Sequence, residues 1–135
     1  MQVTGGCYCG GVRYQVDGEP MMKAECHCRE CQYITGGGPN FFMVMPSSTF
    51  KLTQGQTKAF TRSDLASPVT REFCPNCGTH ILTRAPGLKD GLVLKVGSMD
   101  DPKQYGGPQM AIFMMDKQPF HAVAEGLPAF ERFPG

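Results

Sequence analysis

The chain has 135 residues and a formal net charge of +1, a length that suits one domain over residues 1–135 and a charge that gives no basic surface for nucleic acid. Seventeen Gly, 11 Pro and no Trp favour many short strands over long helices. No apolar run is long enough to span a bilayer, and Met1 to Cys7 lacks the basic-then-apolar order of a secretion leader, so a reducing cytoplasm is expected and the seven cysteines are read as thiols rather than disulfides.

In chain order, Gly5-Gly6-Cys7-Tyr8-Cys9-Gly10-Gly11 is a glycine-bracketed Cys-x-Cys in which the backbone can bend around an ion. Val12 to Val16 alternates apolar and polar as a half-buried strand does. Asp17 to Pro20 is a turn, and Met21 to Glu25 is a second strand that delivers Cys26. Cys28 to Ile34 suits a short helical turn, which the loop Thr35-Gly36-Gly37-Gly38-Pro39-Asn40 ends. Phe41 to Met45 is a continuous apolar run, expected to be a strand covered on both faces. Phe50–Thr53 and Lys58–Arg62 are short strands, and Ser63 to Pro68 is a polar surface loop. Thr70–Phe73, His80–Arg84 and Leu92–Val96 are further strands, and Met110 to Met115 is the last core strand. The tail after Gly126 is extended and docked by Phe130 and Phe133. The class is therefore mainly β with little helix.

Cys74-Pro75-Asn76-Cys77-Gly78 has the spacing of a zinc knuckle, with Gly78 supplying the left-handed turn. A structural zinc takes four ligands, so this pair needs another. Cys7 and Cys9, two apart in an extended segment, point the same way and complete a four-thiolate site. Cys26, Cys28 and Cys31 remain. Three close thiolates without a fourth suit an open zinc site, whose last position takes water or substrate; the alternative is a second structural site completed by His27 or by a distant histidine. Such a zinc lowers the pKa of a bound water or thiol. His27 lies between two of these cysteines and points away from them in an extended segment. His80 is expected to pack near the first site, and His121 to lie in a surface loop.

Gly6-Cys7-Tyr8-Cys9-Gly10-Gly11-Val12-Arg13-Tyr14, Cys26-His27-Cys28-Arg29-Glu30-Cys31-Gln32 and Phe73-Cys74-Pro75-Asn76-Cys77-Gly78-Thr79 resemble the glutathione-dependent formaldehyde-activating enzyme family, which also includes centromere protein V. Val96 to Pro102 and Leu127 to Glu131 are similar to its later blocks. The resemblance implies a β-tent of short antiparallel strands organised around two zincs. It implies a structural zinc on Cys7, Cys9, Cys74 and Cys77 and a second, activity-associated zinc on Cys26, Cys28 and Cys31. It further implies a carbon–sulfur lyase that condenses formaldehyde with glutathione to S-hydroxymethylglutathione. The catalytic side chains stay unassigned. Gln32, Gly36, Gly37 and Gly38 lie beside the second site and are candidates for contact with a small thiol substrate such as glutathione. The competing readings are a non-catalytic zinc-stabilised binding module and a thiol or metal sensor of the same fold.

Overall fold

The computed structural model describes residues 1–134. Ten strands and one short α-helix follow one another in the order β1 (Gln2–Gly6), β2 (Arg13–Asp17), β3 (Met22–Cys26), α1 (Arg29–Thr35), β4 (Asn40–Pro46), β5 (Lys51–Gln54), β6 (Lys58–Thr61), β7 (Thr70–Phe73), β8 (His80–Arg84), β9 (Gly91–Lys95) and β10 (Met110–Ile112). They form a three-stranded sheet, β1-β2-β5, and a seven-stranded sheet, β10-β3-β4-β9-β8-β7-β6. Every pairing is antiparallel except β10 on β3, which is parallel. No helix among the described residues is long and apolar enough to cross a membrane.

The large sheet buries both faces through its centre. On β4, Met43 and Met45 face one way while Phe42 and Val44 face the other. The first face joins Val3, Tyr14 and Val16 of the small sheet to Ile81, Leu82, Leu92 and Leu94, forming the main core. The second face is a smaller cluster that contains Ala24, Cys26, Cys31, Phe42, Val44 and Ile112. A continuous apolar run is what a strand covered on both sides requires.

Pleat and register decide what else shares that second face. Phe42 pairs with Ala24 on one side and with Lys95 on the other. Thr83 pairs with both Val93 and Arg71. Directly paired residues project to the same side of a sheet. Cys26, Phe42, Lys95, Val93, Thr83 and Arg71 therefore line one surface.

Two segments differ from expectation. β1 begins at Gln2 and runs through Gly5 and Gly6, which stay extended beside β2 instead of opening the cysteine loop. A Cβ on Gly5 would stand 2.3 Å from the Ser98 carbonyl oxygen and 2.4 Å from the Tyr14 hydroxyl, so close packing is what requires glycine there. The last strand stops at Ile112, because Phe113 takes the left-handed conformation at φ 55° and a single 3-10 turn follows. The tail docks as expected. Ala129 bridges Ala111 in parallel, Phe130 packs into the second cluster and Phe133 meets Phe113 edge-on at 5.0 Å.

Candidate metal centres

Two cysteine groups converge, in each of which the sulfurs lie within 4.8 Å of one another. The first unites Cys7, Cys9, Cys74 and Cys77. Cys7 and Cys9 follow β1 and stand 3.5 Å apart, and Cys9 is 3.8 Å from Cys74. Sulfurs bound tetrahedrally at ~2.3 Å to one zinc are about 3.8 Å apart, so this group fits that ion. Backbone N–H groups already point at the sulfurs. Val12 donates to Cys7 at 3.2 Å, and Asn76 and Cys77 both donate to Cys74 at 3.4 Å. Burial opposes ionisation of Cys7, but the Val12 N–H and the Cys9 and Cys74 sulfurs carry its thiol below the ordinary value. The Thr79 side chain and backbone draw the Cys77 thiol down to about 5. Gly78, at φ 79°, turns the chain back so that the Cys74 N–H meets the Thr79 carbonyl at 2.9 Å.

The second group is Cys26, Cys28 and Cys31. Cys26 ends β3. Cys28 is the N-cap of α1 and its sulfur accepts from the Cys31 N–H at 3.2 Å. Cys28 and Cys31 sulfurs touch at 2.9 Å. Among the described residues no fourth His, Cys, Asp or Glu joins them. The Cys26 and Cys31 sulfurs, assisted by the Cys31 N–H, hold the Cys28 thiol far down, to about 3. The Cys28 and Cys31 sulfurs and burial push Cys26 strongly up. Without a cation the three thus share one negative charge, and a bound divalent ion would displace the remaining protons.

Two cations stand on the same surface. Arg71 binds Glu30 at 2.9 Å and Thr83 Oγ1 at 3.4 Å, and its charge helps keep Cys28 ionised. Lys95 is buried. Burial draws its ammonium down to about 8, while the Cys31, Cys26 and Cys28 thiols act the other way. An open cavity of about 540 Å³ lies between α1, β6 and β7; none of the three cysteines lines it, and it approaches them through Glu30 of α1 and through Arg71. Tyr33, Ile34, Phe60, Leu65 and Val69 give it apolar walls, while Glu30, Lys58, Arg62, Arg71 and His80 give it charge and polarity. The loop Ser63 to Pro68 contributes Leu65 and Pro68 to that wall.

The histidines fall differently from expectation. His27 does point away from the cysteines. It is fully buried, with Nε2 2.7 Å from Glu25 Oε2 and Nδ1 3.0 Å from His121 Nδ1. His121 does lie in a loop, between the exposed Phe120 and Ala122, but its own side chain turns inward. It is buried, and its Nε2 stands 2.7 Å from the Gly37 carbonyl oxygen. A carbonyl only accepts, so His121 Nε2 carries the proton, and its Nδ1 accepts from the Gln118 N–H at 3.2 Å. His27 Nδ1 is then the donor of the 3.0 Å contact between the two rings. His80 packs on Phe73 at a ring distance of 5.6 Å, and its Nδ1 is buried without a partner in the cavity wall. Burial, with Lys95 and Arg71 nearby, lowers its pKa.

Gln32 is saturated. Its Nε2 donates to the His27 and Asp116 carbonyls, and its Oε1 accepts from Arg29 and Gln118. The Gly36 and Gly37 N–H groups both donate to the Gln32 carbonyl, closing α1. That leaves the Gly38 N–H as the loop amide without a partner among the described residues. Sequence reasoning missed Lys95, although a signal existed. A lysine inside a run apolar on both faces, Leu92-Val93-Leu94-Lys95-Val96, has to be buried, and a buried ammonium needs an anion.

Comparison with known proteins places this arrangement. A family model described as glutathione-dependent formaldehyde-activating enzyme matches residues 2–116. A Halomonas elongata protein named "Putative glutathione-dependent formaldehyde-activating enzyme" is 26% identical over 124 residues, covering 88% of this chain and 78% of that protein. A crystal structure of a Rhodobacter sphaeroides protein superposes with a TM-score of 0.61 at 17% identity, covering 78% of this chain and 96% of that one. At that identity the likeness concerns the fold.

Proposed function

Since the chain belongs to the glutathione-dependent formaldehyde-activating enzyme family, we propose that it is a zinc-dependent carbon–sulfur lyase joining a small thiol, glutathione or a relative, to formaldehyde. One observation carries the reading. Three sulfurs converge without a fourth protein donor among the described residues, and the helix that carries Cys31 also walls a cavity of about 540 Å³ through Glu30, Tyr33 and Ile34. That volume lies within the range of small-molecule sites, roughly 300–1,000 Å³.

Cys7, Cys9, Cys74 and Cys77 would hold a structural zinc. Cys26, Cys28 and Cys31 would hold the second, which when bound supplies a position where a thiol is kept as thiolate at neutral pH. The reaction is addition. The sulfur lone pair forms a bond to the aldehyde carbon, the carbonyl pair moves to oxygen, and a proton completes the hydroxymethyl group. The chain's own part is to position the thiol. Lys58, which has no ion pair among the described residues, suits a carboxylate of a peptide thiol, with Arg62 and Arg71 beside it in pairs with Asp64 and Glu30, and the apolar wall suits the extended backbone. From the glycine loop, the Gly38 N–H is the group left to contact substrate. All seven cysteines are free, which fits the reducing cytoplasm we infer.

The test measures zinc content and product together. The purified protein should carry two zincs, and nuclear magnetic resonance should show S-hydroxymethylglutathione forming faster than in buffer. The C28S variant should keep one zinc and lose the acceleration. A single zinc in the unmodified protein, or equal rates for protein and variant, would sink the reading.

A further inference from the structure

Lys95 is only 7% exposed, at the end of β9. Its aliphatic stem shares a face with Phe42 and Val93, and its ammonium keeps only a narrow contact with solvent in an otherwise buried position. A buried cation without an anion costs several kcal/mol. Among the described residues no carboxylate lies within ion-pair distance of Lys95, and its Nζ donates no hydrogen bond. The opposite charges that act on it are the Cys31, Cys26 and Cys28 sulfurs. Arg71 is on the same surface, with its side chain 13% exposed.

Charge counting then separates the two cysteine groups. A divalent ion on three thiolates has a net charge of minus one. A neutral fourth ligand leaves it there, and an anionic one takes it to minus two, which a half-buried site disfavours unless cations are adjacent. Beside Cys26, Cys28 and Cys31 stand Lys95, which has no carboxylate partner among the described residues, and Arg71, whose charge is shared with Glu30 at 2.9 Å. The four-cysteine group has none to spare, because Arg13 beside it is committed to Asp100 through two hydrogen bonds.

We propose that Lys95 is the specificity-determining counter-charge of the Cys26–Cys28–Cys31 group, and that with Arg71 it makes the fourth position selective for an anionic ligand, a thiolate, over water or a neutral base. This rests on the reading that the position takes the substrate's sulfur, and it adds which chain residues decide what enters.

The experiment uses the full chain loaded with cobalt in place of zinc, at fixed pH. Thiocyanate serves as the anionic probe and imidazole as the neutral one, both followed by visible absorption. A unit charge within about 10 Å, at an effective dielectric of about 20, is worth more than about 1.4 kcal/mol, which is tenfold in Kd. Lys95→Met and Lys95→Gln should each weaken thiocyanate about tenfold or more and shift imidazole less than about threefold. Lys95→Arg should restore thiocyanate binding. The glutamine variant preserves a polar tip should the methionine variant fail to fold. If both probes shift together, or neither shifts, Lys95 does not select charge and the proposal falls while the open site stands. If cobalt fails to occupy a second site in the unmodified protein, the open site itself is wrong and takes the proposal with it.

Discussion

Replacing His27 by Phe removes one end of a contact that has no access to water. Glu25 is 4% exposed and His27 is fully buried, and 2.7 Å separates them. Phenylalanine fills a similar volume, so the cost is mainly electrostatic. Glu25 would lose the only side-chain partner it has among the described residues and stay in the interior. Breaking such a pair costs about 3–5 kcal/mol, whereas replacing both members with apolar groups is often close to neutral. His27→Phe is therefore expected to destabilise by about 3–5 kcal/mol, and Glu25→Leu/His27→Phe by at least about 2 kcal/mol less. The assay is urea unfolding at pH 7 with saturating zinc, after confirming equal metal content. With m of roughly 1–3 kcal/mol per molar for a chain of this size, the single variant should shift the midpoint by about 2 M. Additive costs, with a coupling below about 0.5 kcal/mol, would refute the assignment of a mutually dependent pair.

Three further outcomes are expected. Cys77→Ser removes one ligand of the four-cysteine group, and because structural zinc supplies on the order of 10 kcal/mol, the variant should lose a zinc and unfold at far lower chelator concentrations than the parent, as followed by circular dichroism. Gly5→Ala sets a methyl 2.3 Å from the Ser98 carbonyl, so β1 must move off its neighbours, and a loss above about 2 kcal/mol in the same urea assay is expected. Asp100, bonded to Arg13 and Thr4, has its pKa lowered in the fold, so its contribution is complete above the ordinary carboxylate value of 3.8 and fades as pH falls through the lower folded value. Since its side chain is 45% exposed, Asp100→Asn should cost under about 1 kcal/mol at pH 7, and the parent–variant difference should shrink below pH 3.8.

Local chemistry made most strands readable. Val12 to Val16 alternates, the Phe41 to Met45 run is buried on both faces, and the Gly78 turn depends on nothing beyond its own backbone. Both cysteine groups followed from spacing because a metal fixes ligand number. What escaped was set by distant partners. Gly5 and Gly6 suggest a bend, yet pairing with Tyr14 and Arg13 keeps them straight. Phe113 reads as strand, but the tail's Phe130 and Arg132 carbonyls bind the Met114 and Phe113 N–H groups and bend the chain away. His121 sits in a segment that looks like an exposed loop, and its burial is determined by His27 and Gly37, 94 and 84 positions away. Gln32 has the composition of a ligand-binding side chain, but four hydrogen bonds to its own fold consume it.

The two cysteine groups also differ in when they can exist. Cys28 and Cys31 are three positions apart, whereas Cys9 meets Cys74 across 65. Closing the longer span costs about 2–3 kcal/mol more chain entropy. During synthesis the tri-cysteine segment leaves the ribosome complete while the partners of Cys7 and Cys9 have yet to be made. The first metal the growing chain meets is therefore expected to settle at residues 26–31, giving an order of maturation that runs from the open group to the closed one. Zinc uptake by chains truncated after residue 60, measured against full-length protein, checks this order, and truncated chains that bind no zinc would contradict it.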